Sequence, residues 1–105
     1  MDTVTRINYK ESIKTITERM INRPHVCQEP SKEDFCAIRD AVEALKAWQE
    51  ECPALNLRKH IAVLGYHVMQ PRAILFKDFN TVAALKAGVQ ALEHALGKRT
   101  MFEEV

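Results

Sequence analysis

Between Ser31 and Pro53 the apolar residues Phe35, Ile38, Val42, Leu45, Trp48 and Cys52 recur at steps of three or four. A helix turns once in about 3.6 residues, so these side chains share one face and the stretch reads as an amphipathic helix over 32–52. Ser31, with Asp34 three residues on, supplies acceptors for the first backbone N–H groups. Glu33 and Asp34 complement the positive end of the helix dipole. Ala37, Ala41, Ala44 and Ala47 favour the helix and let a neighbouring backbone come close. Pro53 ends it. About 20 residues make a rod of about 30 Å, and an apolar face of that length must be covered by other elements.

The rest of the chain supplies three more such segments. Tyr9, Ile13, Ile16 and Met20 share a face, Asn8 and Glu11 resemble a capping box, and Pro24 stops the segment. Leu57, Ile61, Leu64 and Val68 repeat the pattern, with Asn56 as a cap. Val82, Leu85, Val89, Leu92 and Leu96 do so again. Asp78 or Asn80 stands at that start, Gly97 suits the left-handed position past the end, and Lys98 and Arg99 oppose the negative terminus.

The predicted fold is therefore all-α. It is a compact antiparallel bundle of about four helices, over roughly 8–22, 32–52, 56–70 and 79–97, with 71–79 irregular or a short helix. One domain covers 1–105, with a flexible tail at 100–105. An alternative stays open at 60–79: Ile61–Met69 is rich in β-branched and aromatic residues, and Ala73–Phe79 offers a partner strand. Against it, Gln70-Pro71 lacks the Asn-Gly or Gly-X chemistry of a tight hairpin.

The stretch RKHIAVLGYHVMQPR, Arg58–Arg72, invites comparison with a DNA-reading helix-turn-helix. That motif wants a small residue four positions before the turn glycine, and here Ala62 and Gly65 are three apart. Leu64 and Val68 also carry one helical face straight through the supposed turn. Past Pro71, only Arg72 and Lys77 have side chains suited to base edges. A bundle helix is the expectation.

Hydrophobic residues make up 47% of the chain and charged ones 28%, enough to build and solvate one core. The odd cysteine count (Cys27, Cys36, Cys52) and the opening MDTVTR, with no apolar signal region, point to reduced thiols and a cytoplasmic location. The longest apolar runs, Ile61–Leu64 and Ala73–Phe76, fall far short of a membrane span. Net charge is +1 but unevenly spread: residues 25–53 carry three basic and seven acidic groups, residues 54–100 seven basic and two acidic.

Catalytic and metal chemistry find little footing. His25, Cys27 and Cys36 are the nearest approach to a ligand cluster, but zinc wants four ligands in paired short spacings. Cys52 lies about 24 Å along the helix from Cys36, too far to complete the set. His60 and His67 stand two turns apart, also too far for one ion. Cys36 in a first helical turn is a weak nucleophile candidate, since Glu33 and Asp34 beside it oppose a thiolate. Gly65, Gly88 and Gly97 are isolated, so no phosphate-cradling loop is present.

The expectation is a non-enzymatic protein with no cofactor and no metal, acting by protein–protein binding as a regulator, inhibitor or adaptor. Segregated charge would steer such a partner, and also permits a homodimer. The predicted contact residues are Asp40, Glu43, Glu50 and Glu51 on the second helix, with Arg58 and Lys59. The alternative is nucleic-acid binding by the basic half, residues 54–99, through Arg58, Lys59, Arg72, Lys77, Lys98 and Arg99.

Overall fold

The capping box read at Ser31 opens the second helix. In the computed structural model, which describes residues 9–22, 27–28, 31–69, 74–75 and 79–103, Ser31 Oγ accepts the Asp34 backbone N–H at 3.1 Å and Asp34 Oδ2 accepts the Ser31 N–H at 3.0 Å. A buried carboxylate holds its place only with donors around it. Asp34 is fully buried, and Arg19 Nε adds a second donor at 2.8 Å.

Among the described residues four α-helices carry the fold: α1 (Tyr9–Ile16), α2 (Lys32–Glu51), α3 (Arg58–Met69) and α4 (Phe79–Glu103). A π-helical turn, Thr17–Ile21, continues α1, and the Asn22 N–H donates to Thr17 O at 3.0 Å. This turn places Met20 in the core and leaves Arg19 free to reach Asp34. Two short strands, β1 (Cys27–Gln28) and β2 (Ile74–Leu75), pair antiparallel with Cys27 opposite Leu75 and Gln28 opposite Ile74.

Long-range contacts fix the directions. Ser12 lies against Asp40 and Arg19 against Asp34, so α1 runs antiparallel to α2. His67 meets Thr81 and Leu64 meets Gly88, so α3 runs antiparallel to α4. Ala41 meets Gly88 and Glu51 meets His94, so α2 and α4 run parallel at the centre. The flanking helices α1 and α3 each pack against both. One core results, with Ile16 and Met20 from the first segment, Ile38 and Leu45 from α2, Leu64 from α3, and Leu85 and Leu92 from α4.

The centre is built of small residues. Ala37, Ala41 and Ala44 of α2 are buried, as are Ala84, Ala87, Gly88 and Ala91 of α4. A methyl at Gly88 would sit 2.9 Å from the Ala41 Cβ, closer than packed carbons approach, with Leu64 Cδ1 in ordinary contact at 3.4 Å. The close spacing of α2 and α4 therefore requires glycine at this position.

Residues 60–69 are helical within α3, which excludes the hairpin alternative. In the connector after α3, β2 pairs with β1, which precedes α2. Residue Gly97 is an interior helical position: no described glycine has a positive φ, and α4 continues to Glu103. No proline follows it, so nothing in the local sequence stops the helix there. Helix α3 begins at Arg58 rather than 56. The capping residues Asn8 and Asp78 lie outside the described residues.

The glycines separate two effects of one substitution. Gly88→Ala is expected to lower stability by about 1–3 kcal/mol despite its better helix propensity, because the helices must part. Gly97→Ala meets nothing within 4 Å and is expected to raise stability by up to about 1 kcal/mol. Urea unfolding of the two variants beside the parent measures both, and equal shifts would show that the α2–α4 contact is not close.

Candidate interaction surface

Leu57, just before α3, and Ile61, Leu64 and Val68 within it turn toward the core, with Leu64 fully buried. A second row, Ala62, Gly65, Tyr66 and Met69, turns away from it. Tyr66 is 61% exposed and Met69 83%, and Gly65 has open space where a side chain would stand. Between this row and α2 runs a groove of about 640 Å³. Val42, Ile61 and Val68 line its apolar floor.

The two walls differ. The α3 wall is apolar, whereas the α2 wall carries Arg39, Glu43 and Lys46, all exposed and one above another at helical spacing. Among the described residues none of these three has a hydrogen-bond or ion-pair partner. Phe79, 82% exposed at the start of α4, lies toward the Met69 end of the molecule, since α3 and α4 run antiparallel.

Two other clefts are more polar. One, of about 380 Å³, lies between α1 and α2 and is lined by Thr15, Cys36, Arg39 and the Ser12–Asp40 pair, in which Ser12 Oγ donates to Asp40 Oδ2 at 2.7 Å. The other, of about 510 Å³, sits beside the turn that joins α2 to α3. There Gln49 acts as a clamp: its Nε2 donates to Leu55 O at 2.6 Å and its Oε1 accepts the Leu57 N–H at 2.7 Å.

The structure scatters the sequence-predicted contact residues. Asp40 faces α1, where Ser12 binds it, and Glu51 faces α4, where its Oε1 lies 2.9 Å from His94 Nε2. The His94 ring in turn stacks on Trp48 at 5.1 Å. Glu43 lines the α2–α3 groove, and Glu50 and Arg58 line the cleft at the turn. Lys59 is exposed beside Arg58. Angle and axial distance both separate them: at about 100° per residue Glu43 and Glu50 point about 60–80° away from Asp40, and Glu51, nearly aligned with Asp40, lies about 16.5 Å further along α2.

Of the alternative set, Arg58 and Lys59 are exposed at the start of α3 and Lys98 and Arg99 fall on the last turns of α4. Arg72 and Lys77 lie outside the described residues, as does His25. Cys27 enters β1, and Cys36 and Cys52 are free thiols. Among the described residues no group of three His, Cys, Asp or Glu is placed to hold a metal ion, and no helix is long and apolar enough to cross a membrane.

The sequence reading missed Gly65, Tyr66 and Met69; the steps of three and four from Ala62, off the core stripe, are the signal that could have found them. The Gln49 clamp has no comparable signal, because it joins residues that only the turn brings together. No family model, curated protein or solved structure matches the chain.

Gln49→Ala removes the acceptor of the Leu57 N–H at a buried residue. The expected loss is about 1–3 kcal/mol, with faster hydrogen exchange at the Leu57 amide than at Leu64. Unchanged protection of Leu57 would rule out the clamp.

Proposed function

We propose that this chain works by binding another polypeptide, as a regulator, inhibitor or adaptor in the cytoplasm, with the α2–α3 groove as the contact face. The observation that carries the reading is the exposed pair Tyr66 and Met69, with Gly65 beside them, facing Arg39, Glu43 and Lys46 across an apolar floor. Aromatic and methionine side chains are enriched where proteins meet, and a groove between two helices accepts the apolar side of a third. The uncommitted charges on the α2 wall would set orientation and register.

Gly65 supplies the test. Its missing side chain leaves the groove open, and a Cβ there meets nothing within 4 Å. Gly65→Leu is expected to leave stability unchanged or raise it by up to about 1 kcal/mol while filling the groove. Affinity capture from the native host, read by mass spectrometry, should lose its specific partner with Gly65→Leu and keep it with Gly97→Ala. Identical captures from parent and Gly65→Leu would remove the groove from consideration.

A second reading is nucleic-acid binding. The antiparallel run of α3 and α4 brings Arg58 and Lys59 to the end of the bundle where α4 carries Lys98 and Arg99. Glu50 and Glu51 close α2 at the same end and oppose a phosphate backbone there. A phosphate-driven complex weakens steeply as salt rises, by about 10³-fold or more between 50 and 200 mM for six or more contacts. Titration of duplex and single-stranded oligonucleotides over that range decides it: no binding at 50 mM ends this reading.

A further inference from the structure

We infer that the groove face of α2 and α3 is covered by the same face of a second copy of this chain, across a two-fold axis that runs perpendicular to both helices. The inference rests on the groove being a contact face and adds what covers it. On α2, Arg39, Glu43, Lys46 and Glu50 are exposed, and among the described residues none of them has a hydrogen-bond or ion-pair partner. They read plus, minus, plus, minus at steps of four, three and four. Read backwards, the row keeps its steps and reverses every sign. Laid antiparallel on itself it therefore matches at every position: Arg39 meets Glu50 of the second copy, Glu43 meets its Lys46, and the same pairs recur in reverse. The whole row lies within the regular helix α2 and spans about 16.5 Å.

A contact of this symmetry needs one axis to serve every element it joins. Across the groove, Arg58, Ala62, Gly65 and Met69 of α3 also step four, three and four. Glu50 and Arg58 share the cleft at the turn, and Lys46, Glu43 and Arg39 line the groove opposite Ala62, Gly65 and Met69. The midpoint between Glu43 and Lys46 is thus level with the midpoint between Ala62 and Gly65. The axis that pairs the charges brings Ala62 of each α3 to Gly65 of the other, where the lack of bulk lets the helices approach. It also lays Met69 beside the aliphatic stem of Arg58 of the second copy. The other face-to-face arrangement, α2 over α3 of the second copy, sets Arg39, Glu43 and Lys46 against Met69, Gly65 and Ala62 and pairs only Glu50. The charges select the first. Alternating signs on one helix also support that helix weakly, but such support does not require α3 to match in step, and it does not pass between chains. Ion pairs at the rim of an apolar contact weaken with salt, so the association is reversible and salt-dependent.

Charge reversal tests the pairing. Arg39→Glu with Lys46→Glu makes the row wholly acidic, and Glu43→Lys with Glu50→Lys makes it wholly basic. Sedimentation velocity at about 100 mM salt reads the parent, each variant and an equimolar mixture of the two, with circular dichroism to check the helices. The parent should dimerise with rising concentration. Each variant alone should do so at least about tenfold more weakly, because every attractive contact becomes a repulsive one. The mixture should dimerise at least as well as the parent, since an acidic row then faces a basic one. Gly65→Leu should weaken dimerisation with all charges intact, and Gly97→Ala should leave it unchanged. A parent that stays monomeric, variants that associate as the parent does, a mixture that fails to recover, or a Gly65→Leu chain that dimerises normally overturns the inference. If the parent is monomeric yet Gly65→Leu abolishes capture of another protein, the contact face stands and only its occupant is wrong.

Discussion

Where α2 passes α4, a hydrogen of Gly88 faces the Ala41 methyl, and a carbon in its place would lie 2.9 Å away. Dispersion falls off within an ångström of optimal contact, so two helices bind each other well only if nothing bulky stands between their axes. Alanines on both sides keep that space clear, and Ile38, Leu45, Leu85 and Leu92 fill the flanks. With α2 and α4 fixed as a close pair, α1 and α3 are left to cover the two remaining sides. Each then buries one stripe only. The outer side of α3, and the groove beside it, follow from that placement.

The polar residues around this core are divided into two groups by the same geometry. Some are used within the chain: Asp34 by Arg19 and the Ser31 N–H, Asp40 by Ser12, Glu51 by His94, and Gln49 by the turn it closes. Exposed pairs such as His94–Glu51 add little to stability, but they remove the carboxylate from the set available to a partner. Among the described residues of α2, Arg39, Glu43 and Lys46 are left to line the groove, Arg39 bordering the α1 cleft as well, and Glu50 is left at the turn. Charge counted along the sequence cannot make this separation, because it treats every carboxylate of residues 25–53 as one acidic surface.

Much of the fold was readable because its causes are local. The Ser31–Asp34 box, the stripe on α2 and the break at Pro53 act within a few residues, and each is found where the sequence placed it. Gly97 shows the limit of such rules: glycine permits a left-handed stop without imposing one, and α4 continues through it. The β1–β2 pair joins residues 27–28 to 74–75, far apart in the chain, and no periodicity of so short a segment announces it. Helix α4 was read as one stripe, Val82 to Leu96, yet Thr81, Ala84, Ala87 and Ala91 are buried as well. A helix enclosed by three others needs small residues as much as large ones. The candidate site was less legible than the fold, since it depends on which charges the packing consumes.

The α3 sequence carries more than folding asks of it. Its inward stripe is enough to cover α2 and α4, and a polar outer side with alanine at position 65 would make a better helix by about 1 kcal/mol. Instead the outer side holds Gly65 between Ala62 and Tyr66, with Met69 beyond, and adding a carbon at Gly65 would touch nothing. Gly88 has a structural reason to be glycine, and Gly65 has none inside the chain. A position that sacrifices helix stability to keep a groove open, beside an aromatic ring and a flexible thioether left in water, is what the proposed partner would account for.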